Sequence, residues 1–192
     1  MARISLALGA TLILGACSLG GKAPDFFMTL DPVQARPAGA AQAAAAGQTI
    51  TVAVPTVARE LSTTRVPVVT GGTRLEYLTG VQWVEIPNAL VARLISETIA
   101  ATTDRVVLDP KQFSFDPGTR LTGQLQSFGV DADRSEAVIV YDAALGGADG
   151  TVRTRRFEAR VPVAAIDAAT VPPALNQAAN QLAADVAAWV GG

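Results

Sequence analysis

Residues 119–163 read TRLTGQLQSFGVDADRSEAVIVYDAALGGADGTVRTRRFEARVPV, and this stretch decides the fold. Thr119 to Val130, Glu136 to Leu145 and Thr151 to Val163 are three long β-like segments rich in β-branched and aromatic residues. They are joined by DADRSE and by GGADG, and Asp-rich and Gly-rich joints at that spacing predict a meander of antiparallel strands. On the third segment, Val152, Thr154, Arg156, Glu158 and Arg160 fall on one face, and Arg153, Arg155, Phe157, Ala159 and Val161 on the other. Its four arginines fit two readings: a solvated sheet face whose charges discourage edge-to-edge aggregation, or an electrostatic contact with a partner or anionic head groups.

Each side of the meander carries a helical pattern. Downstream, PPALNQAANQLAADVAAWV (Pro172 to Val190) sets Leu175, Ala179, Leu182, Val186, Trp189 and Val190 in one stripe, with Asn176, Gln177, Asn180 and Asp185 on other faces. Its alanines let a helix approach a sheet closely, so Trp189 reads as core, with an exposed interface residue as the other reading. Upstream, PNALVARLISETIAATT follows Trp83. Pro87 suits a first helical turn, and Leu90, Val91, Leu94, Ile95, Thr98 and Ile99 repeat at spacings of three and four. Arg105 to Leu108 then forms a short strand closed by Asp109-Pro110.

Further toward the amino terminus the period changes to two. Thr49 to Ala58 (TITVAVPTVA) alternates Ile50, Val52 and Val54 with smaller neighbours, and Pro55 belongs at an edge or a bulge. Thr64 to Thr70 and Thr73 to Thr79 are β-like runs separated by Gly71-Gly72, a hairpin signal. Phe26 to Leu30 is compact and β-prone. Between it and Thr49, residues 31–48 (DPVQARPAGAAQAAAAGQ) are so rich in Ala, Gly and Pro that they read as a slack connector. Helices separated by runs of strands predict an α/β (α+β) layered sandwich, a mixed, largely antiparallel sheet packed by two main helices in a single domain.

Composition narrows the chemistry. The 192 residues contain no His and one Cys, which removes imidazole bases and zinc sites with nitrogen or sulfur ligands from consideration. Lys occurs only at Lys22 and Lys111, and no Ser-x-x-Lys, Gly-x-Ser-x-Gly, Walker A or Gly-x-Gly-x-x-Gly pattern is present. The reading is therefore of a protein that is no enzyme, with no cofactor, metal or catalytic residue. Without Arg3 the chain has 14 basic and 17 acidic residues, a formal −3 with the signs scattered, so nucleic acid is not an expected partner.

The single cysteine lies in LILGACSLGG, Leu12 to Gly21. Ile4 to Leu14 is apolar except for Ser5 and Thr11 and follows the positive Arg3, a signal-peptide layout. As a helix this run rises only ~16 Å, about half a bilayer core, too little for a transmembrane span. Leu14-Gly15-Ala16-Cys17 resembles a bacterial lipobox, in which Cys17 becomes the acylated first residue. Several chains on one residue make a durable anchor where one is marginal. The other reading, an ordinary secretory signal, leaves an odd thiol in an oxidising compartment. Ser18 stands where Asp would signal inner-membrane retention in enteric bacteria, which favours the outer membrane.

Lipobox, Phe26-Phe27-Met28-Thr29-Leu30, Ile50-Thr51-Val52 leading to Leu61-Ser62-Thr63-Thr64-Arg65-Val66, then Leu75-Glu76-Tyr77-Leu78 and Trp83-Val84-Glu85 before the first helix together resemble the ABC-type transport auxiliary lipoprotein family, the PqiC-like outer-membrane lipoproteins. The resemblance runs from about Cys17 to Val190, although Ser62 stands where the family commonly has Asp and Glu85-Ile86-Pro87 is more loosely spaced. It implies a signal peptide at 1–16, a lipidated leader at 17–25 and the family's domain at 26–190. It also implies a non-catalytic accessory of a lipid-moving ABC system, lipid-anchored at the outer membrane and facing the periplasm. There it docks an MCE-domain protein and leaves room for a homo-oligomer around that partner. Arg65, Tyr77, Trp83 and Glu85 are the candidate partner-binding residues, because aromatic and Arg side chains supply most interface energy. Core packing for Tyr77 and Trp83, with a local Arg65–Glu85 ion pair, is their other reading. A lipid carrier with its own acyl cavity and a purely structural envelope lipoprotein are the competing functions.

Overall fold

A computed structural model of the chain describes residues 23–45, 47–109, 118–147 and 149–192. The lipobox with Cys17, and Pro110 of the Asp109-Pro110 stop, lie outside the described residues. The elements, in order, are β1 (Phe26–Met28), β2 (Thr49–Val52), β3 (Thr56–Val57), a 3-10 turn (Arg59–Leu61), β4 (Pro67–Thr70), β5 (Arg74–Tyr77), β6 (Val81–Trp83), α1 (Pro87–Thr102), β7 (Val106–Leu108), β8 (Thr119–Asp131), β9 (Glu136–Gly146), β10 (Val152–Pro162) and α2 (Val171–Gly191).

The meander forms as expected: β8, β9 and β10 pair antiparallel along their length, from Arg120↔Gly146 and Val152↔Gly146 at one end to Asp131↔Glu136 and Pro162↔Glu136 at the other. β8 is the spine of an eight-stranded sheet. One of its edges is taken by β9, while the other receives β2, β3 and β4 in turn, all parallel, at Thr119–Leu121, Gln124–Leu125 and Val130–Asp131. β7 adds to β2 in parallel, and β5 to β4 antiparallel. The two long ladders and the β4–β5 hairpin are thus antiparallel and the remaining short ladders of this sheet parallel, and the fold is the single-domain mixed α/β arrangement expected. A bulge between Leu125 and Ser127 lets Gln126 drop out of the β8–β9 register, bending the spine where its parallel partners change.

Three local differences have physical reasons. The run Thr49 to Ala58 is two strands, broken at Val54-Pro55, because proline brings no N–H to a ladder. The β4–β5 loop is three residues long, since Thr70 pairs with Arg74; Gly71 and Gly72 both take positive φ (59° and 69°), which glycine adopts without steric cost. β6, which the sequence reading does not place, lies between the hairpin and α1 and pairs in parallel with β1 as a separate two-stranded sheet, Met28 opposite Trp83.

Both helices cover one face of the large sheet. That inner face is built from Leu121, Leu125, Phe128 and Val130 of β8, Ala137, Ile139, Tyr141, Ala143 and Leu145 of β9, and Phe157, Ala159 and Val161 of β10, all buried. α1 contributes Leu90, Val91, Leu94, Ile95 and Ile99, and α2 contributes Leu175, Ala178, Ala179, Leu182, Ala183, Val186 and Val190. The small side chains of α2 bring its backbone close to sheet and neighbour helix, so dispersion contacts are dense over little volume. Residues 31–33 are held rather than slack: Asp31 N–H donates to Asn176 Oδ1 (2.9 Å), Val33 N–H donates to Asn180 Oδ1 (2.8 Å), and Asn180 Nδ2 donates to the Asp31 carbonyl (2.9 Å).

Candidate docking surface

The four residues expected to form one surface separate into three places. Arg65 is exposed, just ahead of β4, and its guanidinium stacks 3.8 Å above the ring of Tyr77, the last residue of β5. The backbone that aligns them is a continuation of the hairpin, with Leu78 N–H donating to the Val66 carbonyl at 2.9 Å. The Tyr77 hydroxyl donates to the Glu60 carbonyl at 3.4 Å. A planar cation over an aromatic face gains attraction while keeping its donor edge free to reach outward.

Trp83 does not join them. It is 1% exposed and stacks on Phe128 of β8 with centroids 4.9 Å apart, keying the β1–β6 pair into the main core. Of its two readings, surface contact and core packing, its burial and its stacking on Phe128 fit core packing. Its backbone N–H donates to the Thr64 carbonyl at 2.7 Å, one residue before Arg65, so it positions that segment from below. Its indole Nε1 is buried without a hydrogen-bond partner among the described residues. Glu85 is half-buried, and its carboxylate pairs with Arg93 of α1 at 2.5 Å. The expected Arg65–Glu85 pair is therefore replaced by Arg65–Tyr77 and Glu85–Arg93, each made with the residue nearest in the fold.

The arginines of β10 are mostly committed within the sheet. On the outer face Arg156 makes a two-pronged contact with Asp142 of β9 (Nε–Oδ1 2.6 Å, Nη2–Oδ2 2.7 Å). These bonds hold the Asp142 carboxyl below its ordinary range, with a further lowering from Gln126 Nε2 (2.8 Å), and they push Arg156 upward. Arg160 bonds Glu158 and also reaches Asp131 (3.2 Å) and Glu136 (3.3 Å). On the helix side, Arg155 lies over Phe157 (4.8 Å) and Arg153 over Trp189 (5.4 Å). Trp189 is half-buried and meets Phe157 edge-on at 5.6 Å. A charged edge strand stabilised by its neighbours is the reading this geometry favours.

Sequence reasoning missed the exposed pair Phe26 and Phe27, 44% and 63% accessible. Hydrophobicity alone assigns such residues to a core, and only the brevity of β1 signalled otherwise. None of the helices among the described residues is long and apolar enough to cross a membrane.

Arg65, Tyr77 and Glu85 can make contacts, and their geometry contains no nucleophile paired with a base. A model of the family described as "ABC-type transport auxiliary lipoprotein component" matches residues 29–187. The chain belongs to this family. Among solved structures, a Xanthomonas campestris protein described as a member of the DUF330 family superposes on this auxiliary lipoprotein with a TM-score of 0.66 at 21% identity, covering 88% of this chain and 94% of that one. The crystal structure of a protein described as uncharacterized gives a TM-score of 0.69 at 14% identity, over 85% and 97% of the two chains. At these identities the likeness is one of fold. No curated protein matches the chain. The family is described as an auxiliary component of transport, so an association with an ABC-type transport system comes with membership.

Proposed function

We propose that this protein is a non-catalytic outer-membrane lipoprotein, anchored through acylated Cys17 and facing the periplasm, that docks the periplasmic MCE-domain part of an ABC lipid transporter. The observation that carries this reading is the family match over 29–187, in a chain whose residues 14–17 read Leu-Gly-Ala-Cys, in the pattern of a lipobox. Residues 1–16 act as the signal peptide, 17–25 as the lipidated leader, and 26–190 as the docking domain. The exposed Arg65–Tyr77 stack is the leading contact, with Trp83 behind it as support and Glu85, paired with Arg93, as a separate contact. An aromatic-backed guanidinium loses little side-chain freedom on binding, which suits an interface anchor.

A carrier that shields an acyl chain needs a roomy apolar interior. Here Ala178, Ala179, Ala183 and Ala187 of α2 are buried, and the small residues bring the helix down onto the sheet and leave the docking reading ahead. The experiment is photocrosslinking in cells from Arg65 replaced by a benzophenone amino acid, with the adducts identified by mass spectrometry. An MCE-domain protein among the adducts is the expected result. Adducts with lipid alone, and no MCE-domain protein among them, overturn docking.

A further inference from the structure

The end of the domain nearest Cys17 carries an unusual apolar display. Phe128 and Phe157 are buried, whereas Phe26 and Phe27, at the first strand of the fold, are not. Neighbouring strand residues point to opposite faces, so exposure of both means that β1 covers little on either side. β1 has only three residues, and its ladder is with β6 alone. Close by lies Ile166, 37% exposed. Asp25 N–H donates to the Gly80 carbonyl at 2.8 Å, and a Cβ placed on Gly80 would stand 3.5 Å from that of Ala168. Ala23, Asp25, Gly80 and Ile166 line one open concavity of about 930 Å³.

Chain length fixes where this end can be. Six residue steps separate Cys17 from Ala23, and even a fully extended chain spans no more than ~3.5 Å per step, about 20 Å in all. Resting on the reading that Cys17 carries acyl chains at the hydrocarbon boundary, the head-group layer, several ångströms deep, takes up part of that reach. Ile166, which shares that concavity with Ala23, follows Pro162 by four residues, and Val152 lies ten residues from Pro162 at the other end of β10, about 33 Å along the strand. The tether thus confines one end of the domain to the bilayer surface, and it is the end with two exposed phenylalanines.

We propose that Phe26, Phe27 and Ile166 form a second membrane contact that seats this end of the domain in the phospholipid head-group layer. Aromatic side chains prefer that layer, and a short tether raises the effective concentration of lipid for such a patch far above that of any diffusing partner. The orientation also brings the Arg65–Tyr77 stack to the level of the bilayer, where a conduit that hands over lipid must open.

The test uses the full-length acylated protein in phosphatidylethanolamine–phosphatidylglycerol vesicles, with an environment-sensitive fluorophore on a cysteine introduced by Phe27→Cys or, at the far end, by Val152→Cys (67% exposed). Cys17 is the only native cysteine, and acylation consumes its thiol, so the label goes to one site. Expected are a blue shift and loss of emission with brominated lipids for the label at 27, and neither for the label at 152. The double variant Phe26→Ser/Ile166→Ser, with an unchanged urea midpoint, reduces the quenching at 27. An acylated protein whose label at 27 stays as wet as that at 152 overturns the contact and leaves the anchor standing. A blue shift that grows with protein concentration and ignores brominated lipid points to a second copy on the patch and also overturns it. An amino terminus without fatty chains by intact mass removes the tether and overturns both.

Discussion

Gly123 sits on β8 where the ring of Tyr141 crosses from β9. A Cβ built there falls 2.3 Å from the Asp142 carbonyl oxygen and 2.6 Å from the Tyr141 ring. Neither neighbour can yield: one is ladder backbone, and the other is a buried ring whose hydroxyl donates to the Thr122 carbonyl at 3.0 Å. Burial pushes that phenol upward, so it serves only as a neutral donor. Gly123→Ala is expected to lower the unfolding free energy by at least about 3 kcal/mol in urea titrations. Gly71→Ala, where no atom lies within 4 Å and only the positive φ opposes a side chain, should cost about 1 kcal/mol. The same scale holds a pH effect. Asp142 titrates below its unfolded value because Arg156 bonds its charged form, so its stabilising contribution is complete above that unfolded value and disappears as pH falls through the folded one. Asp142→Asn should therefore be less stable than the native protein at pH 7, with the difference narrowing below about pH 4, as followed by thermal unfolding across the acid range.

At the scale of elements, legibility followed the strength of the period. The meander and both helices could be read from residues because each repeats its pattern for ten residues or more, and a single burial direction governs every repeat. β6 and the β2–β3 break could not, because β6 is placed by its pairing with β1 and β2 and β3 by the edge that β8 offers. The candidate site was legible only in part. Arg65 and Tyr77 meet because a hairpin aligns them, whereas the side of a strand on which Trp83 would fall depended on β6 and its packing onto Phe128. Asn176 and Asn180 were read correctly as off the apolar stripe, yet their work, holding Asp31 and Val33, involves a span of about 145 residues that no local pattern encodes. Asn180→Ala removes the acceptor for Val33 N–H and the donor to Asp31. Amide exchange at Val33 should accelerate roughly five-fold, matching a net hydrogen-bond worth of about 1 kcal/mol, while exchange in β9 stays unchanged.

At the scale of the whole molecule, anchoring and folding draw on different parts of the chain. The buried core begins at Met28 and continues through Val190, and the segments that close the sheet and helices all lie within it. On the proposed reading, acyl chains on Cys17 act on location rather than on the fold. Cys17→Ser is accordingly expected to move the protein from the membrane fraction to the soluble periplasm while its urea midpoint remains that of the acylated form measured in detergent. A lowered midpoint would mean that the lipid packs against the domain itself, which is what a carrier folding around its own acyl chain requires. Because release and stability are read independently, by fractionation and by denaturation, each outcome separates a tethered docking module from a protein built around its lipid.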